Sequence, residues 1–247
     1  FALKKLTATY AATSPSYSDA RVTSILDAIS WPSGDRKITA GKSYLQASTL
    51  DAVPMLTHLE AVVDSEAGLA FIDGAGFLVY QDRHWRNTNA LTALATFTDT
   101  QTASQYRYKT LVPSYDDAQV WNEVEITREG GTQQTVTDAT SQGKNWPRTR
   151  TKTGLLITSD AEALDLANWD LVRFKDPAYR FQAMALYPEK DAAWAAVLYR
   201  EISERITVKE TPPGVAVISK DMHIEGVEHT IGLSGRAWSV KFLLSPA

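Results

Sequence analysis

The clearest pattern of hydrophobic and polar positions lies between residues 49 and 83. Apolar residues recur there at helical spacing as one stripe of four: Val53, Leu56, Leu59 and Val63. Asp51 is the expected N-cap of this helix, and Pro54 is expected in its first turn, where proline sacrifices no intrahelical hydrogen bond. The pattern therefore predicts one amphipathic helix that faces a core.

A β-hairpin is predicted directly after this helix. Gly68 is expected to cap the helix in a positive-φ conformation, which glycine adopts at no steric cost. Two apolar strands, residues 69–72 and 77–80, flank a tight turn that contains Gly74 and Gly76. The three glycines are therefore predicted to be structural turn residues.

Two further helices are predicted from the same periodicity. Ser18 is the expected N-cap of the first, which stops before the sequence Trp31-Pro32. The second begins with the capping-box pair Ser159 and Glu162 and continues to Phe174.

Alternating apolar and polar residues predict strands elsewhere. In the middle of the chain these are residues 106–111, 120–128 and 135–137, with a turn at Gly130-Gly131, whereas residues 87–105 are a loose connection or polar strand edges. In the last third the predicted strands are residues 181–187, 194–202, 206–209, 215–218, 222–231 and 238–244. Four apolar residues of the final strand share one face, which favours an antiparallel barrel or sandwich: Trp238, Val240, Phe242 and Leu244.

Together these elements predict an α+β fold, mainly antiparallel and β-barrel-like, with a small α/β module built from a helix and a β-hairpin. The expected regions are an N-terminal connection or remainder of a preceding barrel (1–17), the α/β module (18–86), a β region with a C-terminal helix (87–185) and a C-terminal β-barrel-like domain (186–247).

Composition excludes several classes of function. The 247 residues include no cysteine, so there is no disulfide framework, thiolate nucleophile or cysteine-based zinc site. A net charge of −4, with both signs interspersed, argues against specific binding of nucleic acid through its phosphates. Because no apolar run is long enough to span a bilayer, membrane insertion is not expected either.

Two short sequences resemble catalytic motifs, but neither is complete. Gly41-Lys42-Ser43 matches the end of a phosphate-binding loop, yet Arg36 occupies the position where that motif requires its first glycine. Gly232-Leu233-Ser234-Gly235 fails the nucleophile-elbow pattern by one position. Both are interpreted as ordinary turns.

Titratable residues give no stronger indication of a site. His223 and His229 share strand parity, unless a bulge near Gly226 intervenes, but no third ligand lies at a plausible spacing, so neither a metal nor another cofactor is expected. Glu60 and Asp64 are one helical turn apart and could act as an acid/base pair, although such pairs on amphipathic helices are usually solvated. Acidic residues of the glycine-rich and loop segments are interpreted as turn formers: Asp73, Asp116 and Asp117.

Tryptophan supplies the remaining candidate contacts. Trp85 and Trp146 are flanked by polar residues, so they are candidates for exposed aromatic binding, for example of sugars. Trp194 and Trp238 lie in predicted strands and are expected in a core instead.

Three consecutive features resemble the minor tail proteins that form the tail tip of long-tailed, siphovirus-like bacteriophages, especially those of actinobacterial hosts. They are the helix ending in Glu66-Ala67-Gly68, the turn Asp73-Gly74-Ala75-Gly76 and the strand closing on Asp82-Arg83. Further segments resemble the same proteins in the same order: residues 115–117, 120–124, 159–177, 202–208 and 224–246. The pattern is more distantly similar to baseplate hub proteins and to the hub of type VI secretion spikes.

This resemblance implies a structural component of the virion, made in the bacterial cytoplasm and not an enzyme. It implies a ring-like hub, most often a homotrimer with two barrel-like parts per copy, that closes the tail tube. The implied partners are a distal tail protein or tail-tube ring, the tape-measure protein, and other tail-tip or receptor-binding proteins. Two alternatives stay open: a carbohydrate-binding receptor module, and a tail-associated cell-wall hydrolase using Glu60 and Asp64.

Overall fold

The computed structural model describes residues 2–100, 105–114, 119–187, 191–232 and 238–247. The described helices are α1 (Ala2–Lys5), α2 (Ser18–Ala28), α3 (Met55–Glu66), α4 (Trp85–Asn89), α5 (Ala139–Asn145), α6 (Asp160–Phe174) and α7 (Asp191–Leu198). The first nine described strands are β1 (Thr7–Ala12), β2 (Ser16–Tyr17), β3 (Arg36–Ile38), β4 (Tyr44–Leu45), β5 (Ser48–Pro54), β6 (Leu69–Ile72), β7 (Leu78–Gln81), β8 (Thr96–Thr98) and β9 (Tyr106–Arg107). The remaining strands are β10 (Thr110–Ser114), β11 (Glu123–Arg128), β12 (Gln134–Thr137), β13 (Thr149–Leu155), β14 (Arg180–Leu186), β15 (Arg205–Glu210), β16 (Ile218–Ile231) and β17 (Trp238–Pro246).

The chain divides into two compact units, and each of them combines two separate stretches of sequence. Unit 1 consists of Phe1–His84 and Asp117–Pro177, and unit 2 consists of Trp85–Asp116 and Ala178–Ala247. The regions expected from the sequence were each continuous, whereas each unit is discontinuous. Sequence patterns indicate local structure, but they do not show which distant segments share a core.

Unit 1 is built from short sheets packed with helices. β1 pairs with β5 and β2 pairs with β4, both antiparallel. Two three-stranded sheets, ordered β3-β7-β6 and β12-β11-β13, each combine one parallel and one antiparallel pair. A single hydrophobic core joins the two stretches, with Leu26 of α2, Leu59 of α3 and Leu166 of α6 among its members. Burial of these side chains from both stretches holds unit 1 together.

Unit 2 is one curled half-barrel sheet with α4 and α7. Its seven strands have the order β10-β14-β17-β16-β15-β8-β9, antiparallel except where β8 pairs with β15 and β9. Val240, Phe242 and Leu244 of β17 are buried on one face, and Trp238 is half-buried beside them. The predicted shared face of the last strand is therefore confirmed, as is the mixed α+β, mostly antiparallel fold.

The N-cap of the helix predicted from Asp51 lies three residues later than expected, at Pro54. Residues Ser48–Pro54 are extended and pair with β1, and the helix starts at Met55, whose amide donates to the Leu6 carbonyl. The prediction was wrong because the residue before a proline avoids the helical region and because a distant strand offered hydrogen bonds. The buried face is shifted accordingly and comprises Met55, His58, Leu59, Val62, Ser65 and Glu66.

Other boundaries also differ from the sequence prediction. Ser18 is the first residue of α2 and not its cap, which is Tyr17. Residues 194–202 were expected as a strand, but the alanine-rich sequence DAAWAAVL forms helix α7, in keeping with the high helix propensity of alanine. β16 begins at Ile218, so the segment 215–218 is not a separate strand.

Three local predictions, one helix cap and two hairpins, are confirmed. The Ser159 side chain caps α6 by accepting from the Glu162 amide at 3.2 Å. The β11–β12 and β6–β7 hairpins form, with Gly130 of the first turn at φ 68°. Among the described residues, no helix is both long enough and apolar enough to cross a membrane.

Candidate functional site

The motif that resembles a phosphate-binding loop binds a carboxylate of its own chain. Glu66 ends α3 and is fully buried, and its Oε2 accepts from the amides of Lys42 and Ser43 at 3.0 and 2.8 Å. The Ser18 hydroxyl donates to the same oxygen at 2.5 Å. Burial by itself would raise the pKa of Glu66, but these hydrogen bonds and Arg83 outweigh it and hold the pKa below its ordinary value.

Arg83 joins this carboxylate to a second one. Its Nε lies 3.2 Å from Glu66 Oε1, and its Nη2 lies 2.9 Å from Glu162 Oε1. The Ser43 hydroxyl donates to Glu162 Oε1 at 2.7 Å and also contacts Arg83. We call Ser18, Ser43, Glu66, Arg83 and Glu162 the Glu66 cluster. It ties the start of α2, the end of α3 and the first turn of α6 into one hydrogen-bonded unit.

The geometry of the loop supports a structural role. No helix follows Ser43, since residues 44–45 form β4. A Cβ on Gly41 would lie 2.0 Å from Ser18 Oγ and 2.7 Å from the Asp19 amide nitrogen. Glycine is therefore needed here for the close approach of the loop to α2, and the loop amides that a phosphate would need already bind Glu66.

The predicted turn glycines have different roles. The left-handed cap of α3 is Ala67, with φ 53°, so the expectation that Gly68 holds that conformation was wrong. Gly68 instead lies against β7, where an added Cβ would be 2.5 Å from the Gln81 carbonyl oxygen.

Gly74 and Gly76 both lie in the turn between β6 and β7, and Gly76 has a φ of 92°. Asp73 holds this turn, because its Oδ1 accepts hydrogen bonds from the amides of Ala75 and Phe77 at 3.1 and 2.9 Å.

A second ionic cluster lies in unit 2. Arg86 forms two hydrogen bonds to the Glu225 carboxylate, at 2.6 and 2.9 Å, and one to the Ser203 hydroxyl at 3.0 Å. His223 is only 5% exposed, and burial, followed by the nearby charge of Arg86, lowers its pKa to about 4. This imidazole is therefore neutral at pH 7 and is suited to packing.

The structure does not bring the candidate metal ligands together. The pairing register of β16 shifts between Ile224 and Gly226. His223, before this shift, is buried, whereas His229, after it, is exposed. The His229 ring accepts a hydrogen bond from the Trp238 indole at 3.2 Å. Within the described ranges, no three His, Asp or Glu side chains are placed to hold a metal ion. Asp116-Asp117 and Leu233-Ser234-Gly235 lie outside the described residues.

The candidate acid/base pair lies on a solvated surface. Glu60 and Asp64 are both exposed on α3, away from its buried face.

The two candidate binding tryptophans differ in exposure. Trp146 is 80% exposed and follows α5 with φ 60°, an unusual conformation for a bulky residue. Its carbonyl accepts from the side chain of buried Asn122 at 2.8 Å, which fixes the backbone beneath the ring. Trp85 is half-buried at the start of α4.

The two tryptophans that were expected in a core lie next to each other. Trp194 is half-buried on α7, and its ring centroid is 4.9 Å from that of Trp238.

A cleft in unit 1 was not predicted. Its volume is about 220 Å³, and it lies among the C-terminal end of α3, β13 and the second half of α6. Trp169, Phe174 and Arg173 of α6 line it together with Arg150 and Lys152 of β13. The alternation of Arg150 and Lys152 along one strand was the available sequence signal, but their placement beside α6 depends on the parallel pairing of β11 and β13.

None of the protein-family models matches the chain, and no curated protein matches it in sequence. Its structure is similar to the tail protein from Neisseria meningitidis MC58, with 15% identity, a TM-score of 0.66, and coverage of 99% of this chain and 71% of that chain. It is equally similar to the 43 kDa tail protein of prophage MuSo2 from Shewanella oneidensis, at 14% identity, TM-score 0.66 and the same coverage. The chain has the fold of these tail proteins.

Proposed function

We propose that the protein is a structural component of a bacteriophage tail and forms a ring-like hub, a homotrimer, at the tail tip. The observation that carries this proposal is the likeness of 99% of the chain to two tail proteins, one of them from a prophage. Both units are included in that likeness, so it does not rest on one common substructure. A shared fold alone does not define a function, and the sites themselves must agree with it.

The sites agree with a role in assembly. The two ionic clusters are paired within the chain: Arg83 pairs with Glu66 and Glu162, and Arg86 pairs with Glu225. Arginines that are paired in this way link segments of the chain and provide no activated nucleophile or base. Within the described residues the chemistry thus favours a rigid part of a larger structure over an enzyme.

Exposed aromatic residues offer contact surface. Tyr17 and Tyr44 lie side by side on β2 and β4, both exposed, with ring centroids 5.1 Å apart in an edge-to-face arrangement. Tyrosine is enriched in the centres of protein interfaces. The pair is our candidate for a contact between copies in unit 1.

In this proposal the ring closes the tail tube. Its partners are a distal tail protein or tail-tube ring on one side, the end of the tape-measure protein within, and receptor-binding proteins beyond it. Such rings rely on interfaces larger than about 1,000 Å².

Mass measurement of the purified chain at micromolar concentration tests the oligomer. We expect a species of three times the monomer mass, and a Tyr17→Ser/Tyr44→Ser double variant with a larger monomer fraction. A wild-type chain that stays monomeric at every concentration, and also in the presence of the neighbouring tail-tube ring, contradicts the homotrimer.

A second candidate function is a carbohydrate-binding receptor module of the tail. The exposed Trp146 ring on its fixed backbone favours it, because a rigid aromatic surface can stack on a sugar with little loss of conformational entropy. Host-wall glycan binding that is lost in Trp146→Ala, or in Trp85→Ala, supports this function. Absence of any binding to host envelope contradicts it.

The hydrolase alternative has no support from the geometry of Glu60 and Asp64. A zymogram on host cell wall decides it: we expect no clearing. Clearing that is abolished by Glu60→Gln is the result that would assign catalysis to this pair.

A further inference from the structure

The cleft in unit 1, which we call the Trp169 cleft, carries an unusual charge arrangement. Asp170 has a side chain only 10% exposed, and its Oδ2 lies 2.7 Å from Lys152 Nζ and 3.6 Å from Arg150 Nη1. Two cations therefore converge on one buried carboxylate. Arg173 adds a third positive charge to the lining, and exposed Asp64 adds a second negative one. Among the described residues that line the cleft, three side chains are therefore positive and two are negative.

The cations lie beside aromatic rings. The Arg173 guanidinium is 5.2 Å from the Trp169 ring centroid and 5.8 Å from that of Phe174. Arg150 approaches the Phe174 ring at 5.1 Å. These contacts hold the guanidinium groups against a half-exposed aromatic wall, so cationic donors and an apolar surface are presented side by side.

We propose that the Trp169 cleft binds one acidic sugar unit, with the sugar carboxylate at the cations and the ring against the aromatic wall. Arg150, Lys152 and Arg173 are suited to a carboxylate, which forms short, charge-assisted hydrogen bonds with guanidinium and ammonium groups. Asp64, which also lines the cleft, is an acceptor for the sugar hydroxyl groups. Trp169 provides the surface on which the apolar face of a pyranose can stack.

The lining favours a sugar over an acidic peptide. A peptide that binds in an extended form needs an apolar groove for its side chains, whereas half of the residues that line the Trp169 cleft are charged. A sugar needs donors, acceptors and one flat apolar surface within a small volume. The cleft, with a volume of about 220 Å³, offers donors, an acceptor and an aromatic surface.

This inference goes beyond the hub, since the cleft lies within unit 1 of a single copy. It also differs from the second candidate function in its residues, because Trp146 does not line the cleft. The sugar-binding proposal for the cleft can therefore fail without affecting the hub proposal, and the hub proposal can fail without affecting it.

The test is a titration of the full ¹⁵N-labelled chain with D-glucuronic acid, followed by the indole N–H resonance of Trp169. Trp169→Phe identifies that resonance and keeps an aromatic ring in the wall. We expect a saturable shift with glucuronic acid, a weaker response to neutral glucose, and loss of binding as salt screens the charges.

Two charge-matched variants separate the site from general electrostatics. Arg173→Gln removes an exposed cation of the cleft, and we expect roughly tenfold weaker binding of glucuronic acid because one charge-assisted hydrogen bond is lost. Arg107→Gln removes an exposed arginine of unit 2 and is expected to bind as wild type.

Three results would overturn the proposal. The first is a Trp169 resonance that does not respond to glucuronic acid, or responds equally to glucose. The second is unchanged affinity in Arg173→Gln. The third is tighter binding of a triglutamate peptide than of glucuronic acid at the same resonance, which would assign the cleft to an acidic protein segment.

Discussion

Arg83 and Glu66 form a buried ion pair, with Nε and Oε1 3.2 Å apart, across the whole helix and hairpin segment. Glu66 ends α3 and Arg83 follows β7, so the segment is closed on itself by one salt bridge. The second carboxylate, Glu162, extends the contact to α6. A segment with no catalytic motif therefore contains an ionic contact that links α3, the residue after β7 and α6.

Removing Arg83 tests how far unit 1 depends on this contact. Arg83→Met leaves Glu66 buried without its cation, and we expect a loss of about 3–5 kcal/mol in the free energy of unfolding. Urea unfolding at pH 7 measures it. Glu66→Gln in the Arg83→Met background should recover part of the loss, because the uncompensated charge is then absent.

An exposed ion pair in unit 2 is the control for that experiment. Lys241 and Glu228 are 3.9 Å apart, and both side chains are largely exposed. Lys241→Met is expected to change the free energy of unfolding by less than about 1 kcal/mol. Equal changes in the free energy of unfolding for Arg83→Met and Lys241→Met would show that the Glu66 cluster contributes no more to stability than an exposed ion pair.

The loop at Gly41 gives a second prediction. Gly41→Ala places a methyl group against Ser18 and the Asp19 backbone, and we expect destabilisation of about 1–3 kcal/mol from overpacking. Gly143 of α5 has open space where its Cβ would be, so Gly143→Ala should stabilise by about 0.5–1 kcal/mol. Thermal unfolding of both variants checks the signs, and a neutral or stabilising Gly41→Ala is incompatible with the close approach described above.

These results show which parts of the fold are encoded locally. The Ser159–Glu162 cap and the hairpin turn at Gly130 were predictable, because each depends on residues within a few positions of one another. The start of α3 was not, because β5 takes its hydrogen bonds from β1, some forty residues away. Helix α7 was misassigned as a strand because short apolar runs fit both periods.

The candidate sites follow the same rule. The sequence pointed to Glu66 and Arg83 only as ends of a motif, and their pairing required the hairpin to return the chain to the end of α3. The Trp169 cleft depends on the parallel pairing of β11 with β13, for which no local signal exists. Trp146 was recognisable from its polar neighbours alone, and its exposure is consistent with that signal.

Ala67 and Gly68 are adjacent small residues with opposite requirements. Ala67 caps α3 at φ 53°, so Ala67→Gly should stabilise the protein by about 0.5–1 kcal/mol through relief of left-handed strain. Gly68→Ala should destabilise it, because the new Cβ would lie 2.5 Å from the Gln81 carbonyl oxygen. Chemical unfolding of the two variants measures both changes, and effects of the same sign would be inconsistent with this geometry.

His223 predicts how stability depends on pH. Its pKa in the folded protein is about 4, whereas an unfolded chain has a value near its ordinary 6.5, so only the unfolded state binds the proton between these values. The contribution of His223 to the free energy of unfolding is therefore fully present above pH 6.5, and it is lost as the pH falls towards 4. Between pH 6.5 and 5 we expect a loss of about 1.5 kcal/mol in the free energy of unfolding.

His223→Gln isolates this contribution from other titrating groups. The Glu66 and Glu225 carboxylates, whose pKa values are lowered, also lose stability on acidification, but only below their ordinary range. The variant should therefore show a flatter profile than wild type between pH 6.5 and 5. Identical slopes for the two proteins would show that His223 is not held neutral by burial.

Cryo-microscopy of the intact phage particle, with this chain carrying a bound antibody fragment as a label, tests the central proposal most directly. We predict three labels arranged around the tail axis at the distal end of the tube. A single label displaced from the axis, or labels distributed along the tube or on the capsid, would contradict a tail-tip hub.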